Sequence, residues 1–220
     1  MFSAASKTSS QPAVAANYIE DVFSTYLWTG NGTTQSITNG IDLTGKGGMV
    51  WRKRRDATAD HFIADTVRGT YSTLSSNTAA AASGSSYIDF LSDGFQAVNS
   101  ASSNSSGSSQ CSWTFREQPK FFDIVTYNGT GSSGNVINHN LGSAPGVIIL
   151  KRTNSADNWV YWQNTFNGSQ YLLLNTTNAL LSDAPVVNFS NITSTSFRID
   201  STWSSTNASG GQYVAYLFAH

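Results

Sequence analysis

The sequence predicts an all-β protein made of two tandem, homologous antiparallel β-sandwich modules that follow a flexible N-terminal arm. Only 11% of the 220 residues are charged, against about 25% in ordinary soluble domains, so Ser, Thr, Asn and Gly must supply the polar surface. These residues disfavour helix interiors and favour turns. Short runs with alternating apolar residues recur between the predicted turns, and the second half of the chain repeats the first.

The repeat appears as matching residues at a nearly constant separation along the chain. Residues 48–51 align with residues 146–149, and the Lys53-Arg54 pair aligns with Lys151-Arg152. The other matched pairs are Gly30 with Gly129, Gly32 with Gly131, Ile37 with Val136, Asn77 with Asn175, Thr78 with Thr176, Phe95 with Phe197, Asn104 with Asn207, Gly107 with Gly210, Trp113 with Tyr216, and Phe115 with Phe218. Because apolar positions align as well as the abundant Ser and Gly, we reject chance similarity.

The module boundary is predicted at Pro119, because proline interrupts a β-ladder and a new alternating run follows it. The predicted domains are an arm over residues 1–17, a first module over 18–118 and a second over 119–220. The arm lacks the apolar core of a secretion signal. Since a short extended arm can add a strand to a partner, we name Gln11, Pro12 and Asn17 as candidate docking residues.

The individual elements follow from local patterns. Residues 15–26 could form a short helix, and the alternation over residues 18–28 fits a strand as well. The alanines within residues 75–86 are flanked so closely by Ser and Gly that a loop is expected. Polar, low-complexity residues 99–110 predict a mobile loop. Residues 146–152 form an apolar, β-branched run, which predicts a strand buried on both faces or nearly so. The remaining predicted strands cover residues 171–175, 196–200 and 213–219.

No catalytic residue, metal site or cofactor is predicted. The three histidines are scattered, His139 is expected to cap a turn, and no nucleophile elbow, phosphate loop or metalloprotease motif occurs. Cys111 is the only cysteine, so no disulfide forms within the chain. A net charge of -1 argues against a nucleic-acid partner. No apolar run reaches the roughly 20 residues that a membrane-spanning helix needs.

Trp159, Tyr161 and Trp162 are the candidate surface-recognition residues. In a strand, Trp159 and Tyr161 share one face and Trp162 takes the other. Exposed aromatic rings stack on sugars or anchor protein interfaces, and the alternative is that both sets pack inside the protein. Exposure in a groove would favour adhesion, whereas burial between the modules would favour a structural cement.

Four consecutive basic residues, Arg52 to Arg55, form the strongest charge cluster of the chain. Lys53 and Arg54 recur in the second module, so they belong to the common scaffold. Arg52 and Arg55 replace Leu150 and Thr153. Arg52 therefore predicts a more exposed strand end, and both arginines are candidate contacts for an acidic partner.

Five stretches of the chain carry a resemblance to a known family: "GGMVWRKRRDATADHFIADTVRG", "SDGF", "WTFREQPKFFDIVTYNGTG", "HNLGSAPGVIILKR" and "YVAYLFAH". Over about residues 18 to 220, the sequence resembles a domain of unknown function that is common in marine and freshwater tailed phages, especially cyanophages. That domain is usually described as a tail-fibre or virion structural protein. The resemblance implies a location in the virion and no established biochemistry.

The expected function is that of a non-enzymatic phage structural protein. The first interpretation is a tail- or head-fibre component of the adhesion type, with capsid or tail proteins as partners and a host-surface glycan or protein as a further one. The alternative is a capsid decoration (cement) protein that stabilises the shell, and a glycan-binding module or hydrolase is a weaker alternative. By analogy with phage fibres we expect a homo-oligomer, with a trimer favoured.

Overall fold

The computed structural model describes residues 18–85, 87–98, 104–183 and 188–220. The candidate arm residues Gln11, Pro12 and Asn17 lie outside the described residues. A 3₁₀ turn, Ile19–Asp21, precedes the first strand, and one short helix, α1, covers Ser204–Asn207. The strands are β1 Phe23–Thr29, β2 Gln35–Thr38, β3 Gly48–Arg54, β4 His61–Asp65, β5 Leu74–Ser75, β6 Ile88–Phe90, β7 Gly94–Ala97, β8 Ser109–Arg116, β9 Phe122–Asn128, β10 Asn135–Asn138, β11 Pro145–Arg152, β12 Val160–Gln163, β13 Gln170–Leu173, β14 Leu181–Ser182, β15 Phe189–Ser190, β16 Ser196–Ile199 and β17 Gln212–Ala219.

The strands form four antiparallel sheets in two sandwich-like halves, which confirms the predicted fold class. The first half pairs a five-stranded sheet, β1-β8-β3-β4-β5, with a three-stranded sheet, β2-β7-β6. The second half pairs a six-stranded sheet, β14-β13-β12-β11-β17-β9, with a three-stranded sheet, β10-β16-β15. Each half thus has a large and a small sheet with one core between them.

The structure contains both the alanine-containing loop and the buried strand that the sequence predicts. Residues 76–85 run as a loop after β5, and Ser83 of this loop forms an isolated bridge with Thr73, which precedes β5. Strand β11 is buried or half-buried along its whole length, because it lies between β12 and β17 and is covered on both faces. The ambiguous residues 18–28 contain both a 3₁₀ turn and strand β1.

Three apolar clusters hold the molecule together. The core of the first half consists of Trp28, Ile37, Ile41, Leu43, Val50, Ala64, Ile88, Phe95 and Ala97. The core of the second half consists of Ile137, Leu141, Ile148, Leu150, Val160, Trp162, Tyr171, Phe189, Phe197, Ile199, Tyr213, Ala215 and Leu217. The third cluster joins the halves and consists of Met49, Ile63, Leu74, Phe122, Ile124, Trp159, Val214 and Tyr216.

We call the face of each large sheet that points away from the core of its own half the outer face. Along β17, Tyr213, Ala215 and Leu217 belong to the second core, whereas Val214 and Tyr216 belong to the third cluster. The outer faces of the two large sheets therefore pack against each other. Since burial of apolar surface stabilises association, this contact fixes the two halves together.

Strand register supports the sequence repeat and corrects one of its pairs. Ile37 lies opposite Phe95, and Ile137 lies opposite Phe197. Ile37 and Ile137 are both buried, whereas Val136 is 56% exposed. The predicted match of Ile37 with Val136 is therefore wrong, because the loop before β10 is one residue longer than the loop before β2, and the residue-by-residue count slips there.

Equivalent asparagines anchor the same loop in both halves. Asn104 and Asn207 are fully buried. The Nδ2 group of Asn104 donates to the carbonyl oxygen of Thr33 at 2.6 Å, and that of Asn207 donates to the carbonyl oxygen of Ser132 at 2.8 Å. Because buried amides must be paired, these side chains fix the loop that follows β1 and β9.

Candidate functional site

Two of the three aromatic candidates lie inside the protein. Trp159 is 0% exposed, and its Nε1 donates to the carbonyl oxygen of Ser75 in the first half at 3.0 Å. Trp162 is buried in the second core, where its ring lies 5.9 Å from that of Phe189. The prediction that Trp159 and Trp162 are surface-recognition residues is therefore wrong. The first half covers Trp159 at one end of the outer face of the second half. Trp162 lies on the opposite face of β12, which points into the core of the second half.

Tyr161 lies at the surface, as one wall of an open groove of about 400 Å³. It is half-buried, its hydroxyl donates to Gln163 Oε1 at 2.9 Å, and its ring meets Phe166 edge-on at 6.4 Å. Burial raises the pKa of the Tyr161 hydroxyl. The groove is lined by Tyr161, Gln163, Phe166, Leu172, Leu173, Leu174, Thr176 and Asn178.

Local sequence explains the shape of this groove. Strand alternation turns Tyr161 outward and Trp162 inward. After β13, Asn175 Oδ1 accepts from the backbone N–H of Trp159 at 2.8 Å. This bond holds the residues that follow β13 beside the start of β12. Phe166, Leu172, Leu173 and Leu174 form the apolar part of the groove lining, and Leu174 is 37% exposed. The groove is therefore apolar, with polar residues at its rim.

The groove corresponds by the repeat to a surface that is buried in the first half. Ile63 lies opposite Trp51, and Tyr161 lies opposite Ile149, the equivalent of Trp51. Ile63 is buried between the halves, whereas Tyr161 is half-exposed. The same outer-face position is thus covered in one module and open in the other.

Arg52 departs from the predicted exposed position. It is 0% exposed, on the core side of β3, and its guanidinium lies 4.8 Å from the ring centre of Phe62 and 5.8 Å from that of Tyr87. Burial lowers the pKa of the Arg52 guanidinium to about 9. Its counterpart Leu150 is also a core residue. The alignment with Leu150 is correct and the expectation of an exposed strand end is wrong, because the position faces inward in both modules.

The other basic residues are arranged around the end of β3. Arg55 is exposed, so it stays a candidate contact. Arg54 is paired with Asp56 at 2.7 Å, and Lys53 Nζ donates to the carbonyl oxygen of Ala59 at 2.9 Å. The run of four basic residues thus separates into one core residue, two residues with local partners and one exposed residue.

A buried polar network joins the halves beside the third cluster. Tyr216 donates from its hydroxyl to Asp65 Oδ2 at 2.7 Å, and Arg68 Nη2 lies 2.6 Å from the same oxygen. Burial alone would lower the pKa of the Arg68 guanidinium, but its interactions with Tyr216 and Asp65 raise it above its usual value. Because a buried charge without a partner is costly, this network favours one relative placement of the two halves.

Two carboxyl groups meet at the junction of the halves, in a cleft that Lys46 and Asn140 also line. Glu117 Oε1 accepts from the backbone N–H of Ile124 at 3.2 Å, and Asp123 Oδ2 accepts from that of Asn140 at 2.6 Å. Burial, reinforced by the nearby carboxyl of Asp123, raises the pKa of Glu117 to about 7. Glu117 can therefore hold or release a proton near neutral pH.

His139 has the structural role that the sequence predicts. Its Nδ1 accepts from the backbone N–H of Leu141 at 3.3 Å, and its ring stacks on Phe197 at 6.3 Å. Burial lowers the pKa of His139. The ring thus caps the turn that leads into the core of the second half.

A family model of a domain of unknown function, DUF7483, matches residues 19–220. The chain belongs to the DUF7483 family. This confirms the expected membership in a family of unknown function over almost the whole described length. No curated protein and no solved structure matches the chain.

Two further properties of the DUF7483 chain bear on its chemistry. Among the described residues, no group of three or more His, Cys, Asp or Glu side chains is placed to hold a metal ion. Within the same ranges, no helix has the length and apolar character that crossing a membrane requires.

Sequence reasoning missed the Glu117–Asp123 pair and the Asp65–Arg68–Tyr216 network of this DUF7483 chain. The first had a weak signal, since both acids flank Pro119 in a chain with few charges. The second had none, because Asp65 and Tyr216 are far apart in sequence and meet only when the halves pack.

Proposed function

We propose that this DUF7483 chain is a non-enzymatic structural protein of a virion that acts by docking its surface onto other proteins. The observation that carries the proposal is the open apolar groove beside Tyr161. Exposed apolar surface with a polar rim is typical of protein interfaces. Leu174 supplies such surface in the groove, and Leu180 supplies more in the segment before β14. The virion location rests on the resemblance of the sequence motifs in both modules to phage structural proteins.

The position of the aromatic residues favours assembly over host recognition. Sugar binding by stacking needs exposed aromatic rings, yet Trp159 and Trp162 are buried. Trp159 lies between the halves, where it strengthens the protein itself. Of the two interpretations, we therefore favour a capsid decoration protein over a fibre component that binds a host glycan.

The proposal is tested on purified particles of the phage whose genome encodes this chain. We expect the chain in intact particles, with cryo-electron microscopy density on the capsid lattice. We expect Leu174→Asp to lower its incorporation at least about tenfold, because an interface core does not tolerate an unpaired charge. The matched control is Val136→Asp, which alters an apolar residue outside the groove that is more exposed than Leu174, at 56% against 37%.

The outcomes separate the alternatives. Density in the tail fibres would contradict a decoration role and favour the fibre interpretation. Particles that lack the chain would contradict the virion proposal, and equal loss with Leu174→Asp and Val136→Asp would exclude the groove as the docking surface.

A further inference from the structure

The contact between the halves is asymmetric. The first half contributes Ile63 and Leu74, which lie on the β4–β5 side of its outer face. The second half contributes Ile124, Val214 and Tyr216, which lie on the β9–β17 side of its outer face. Because the halves are repeats of one module, each carries both kinds of surface. The contact within the chain uses mainly one surface of each half. Trp159 and Phe115 extend it to the margin of the other surface, where Tyr161 stays half-buried and Leu27 and Leu174 stay exposed.

The open surface of the second half is the groove. By strand register, Tyr161 is the counterpart of Ile63 and Leu172 is the counterpart of Leu74. The loop that follows them matches as well. Ser83 bridges Thr73 in the first half, Leu181 pairs with Tyr171 in the second, and the preceding residues, Ala82 and Leu180, are therefore equivalent.

Ala82 shows what this equivalence means. It packs against the third cluster, and its N–H donates to the carbonyl oxygen of Thr153 in the second half at 2.8 Å. Leu180 is instead 47% exposed. A large apolar residue therefore lies open at a position that the first half uses for contact with another module.

The open surface of the first half lies on β1 and β8. Trp113 is the counterpart of Tyr216 and Thr25 is the counterpart of Ile124, since each pair occupies the same place in its ladder. Trp113 is half-buried, and Leu27, two residues from Thr25 on the same face, is 58% exposed. Leu27 stands where the second half has Thr126, a residue of the cleft between the halves.

We propose that the groove of the second half docks on the β1–β8 outer face of the first half in a second copy of this chain. The contact repeats between chains the one seen between the halves, so copies associate head to tail. The inference rests on the proposed function in one respect, namely that the groove binds protein. Because each chain presents two different surfaces, such association closes into a ring or continues as a filament.

The backbone contacts of the interface have counterparts too. Within the chain, Lys151 Nζ donates to the carbonyl oxygen of Ala79 at 3.2 Å. The counterpart of Lys151 is Lys53, at the edge of the open surface of the first half. In the assembly, Lys53 is expected to donate to the carbonyl oxygen of Thr177, the counterpart of Ala79, while Leu180 donates its N–H to the carbonyl oxygen of Arg55. The exposed Arg55 is therefore expected to take part in the contact between the two chains.

The experiment is sedimentation of the full chain over a range from micromolar to millimolar concentration. Leu180→Asp alters the counterpart of Ala82 in the segment that follows the groove, Leu27→Asp alters the β1–β8 face, and Val136→Asp is the matched control. We expect the wild-type chain to associate and each of the first two variants to weaken association by about 30-fold or more. The Val136→Asp variant is expected to associate like the wild type. Circular dichroism and thermal unfolding check that each variant is folded, and Leu180→Ser and Leu27→Ser replace any that is not.

Mixing the variants gives the sharpest test. The Leu27→Asp chain keeps an intact groove, and the Leu180→Asp chain keeps an intact β1–β8 face. A head-to-tail contact therefore predicts that an equal mixture forms one-to-one dimers that do not grow further. If Leu27→Asp associates with itself like the wild type, the groove has another counterpart on the chain and the proposal is overturned.

Two further outcomes would also overturn it. A wild-type chain that stays monomeric over the whole range excludes self-docking, and association that appears only after residues 1–17 are removed would assign the surface to that segment. If the chain is monomeric but Leu174→Asp still abolishes its incorporation into particles, the proposed function holds and self-docking does not. If the chain associates head to tail but is absent from particles, self-docking holds and the proposed virion role does not.

Discussion

The carboxyl of Glu117 is expected to make the stability of the protein fall between about pH 5 and pH 7. This side chain lies in the junction cleft, where burial raises its pKa from 4.5 to about 7. In the folded protein it therefore keeps a proton that the unfolded chain releases at lower pH. Because the unfolded state binds fewer protons in this window, the free energy of unfolding decreases as pH rises through it.

The magnitude follows from the two pKa values. A rise from 4.5 to about 7, at about 1.4 kcal/mol for each pH unit, corresponds to about 3 kcal/mol. Glu117 remains partly in contact with water, which screens its charge, so we expect a measured effect of about 1–2 kcal/mol. Glu117→Gln keeps the shape and the acceptor for the N–H of Ile124 but cannot ionise.

The assay is urea unfolding of the wild type and Glu117→Gln between pH 5 and pH 8. The two proteins should have similar free energies of unfolding at the acidic end, and the variant should be more stable by about 1–2 kcal/mol at the basic end. The buried His139, whose pKa is lowered, acts in the opposite sense in both proteins and cancels in the difference. Glu20→Gln, in the exposed 3₁₀ turn, is the control. A difference between wild type and Glu117→Gln that does not change with pH would refute the reasoning.

Three further predictions concern buried side chains, and denaturant unfolding measures each of them. Arg52→Leu, which copies Leu150, should keep the free energy of unfolding or raise it by up to about 2 kcal/mol. Arg52→Ala should instead lower it by about 2–4 kcal/mol, because a cavity opens beside Phe62 and Tyr87; equal losses in both variants would contradict a core role. Asn207→Ala should cost about 2–4 kcal/mol, since several loop groups lose their partner, whereas the exposed Asn178→Ala should change stability by no more than about 0.5 kcal/mol. Trp159→Phe should lower the free energy of unfolding by about 1–3 kcal/mol, because it removes the hydrogen bond to Ser75 between the halves. Tyr161→Phe, at the open end of the same face, should lower it by less than about 0.5 kcal/mol. The reverse order would contradict the placement of the two rings.

The repeat was the most informative feature of the sequence. Equivalent residues make equivalent bonds: Asn77 Oδ1 accepts from the N–H of His61 and Asn175 Oδ1 from that of Trp159, both at 2.8 Å. Such pairs could be predicted because a residue with a local backbone role is constrained in each copy independently. The single slip, at Ile37, arose in a loop, where length varies without loss of register in the neighbouring strands.

The candidate site could be predicted only in part. Strand periodicity correctly separates Tyr161 from Trp162, but it does not distinguish Trp159 from Tyr161, since both belong to the outer face. Periodicity reports which face a side chain occupies. It does not report what covers that face.

The sequence by itself determined the fold class, several of the strands and the equivalence of the two modules, because alternation, turn residues and repeated landmarks are local properties of the chain. The tertiary structure decided which outer surfaces are covered and which stay open. Ile63 and Tyr161 are equivalent in the repeat, yet only Ile63 is buried against another module. The physical reason is that two modules in one chain share a single asymmetric contact, which leaves one surface of each module exposed and creates the groove.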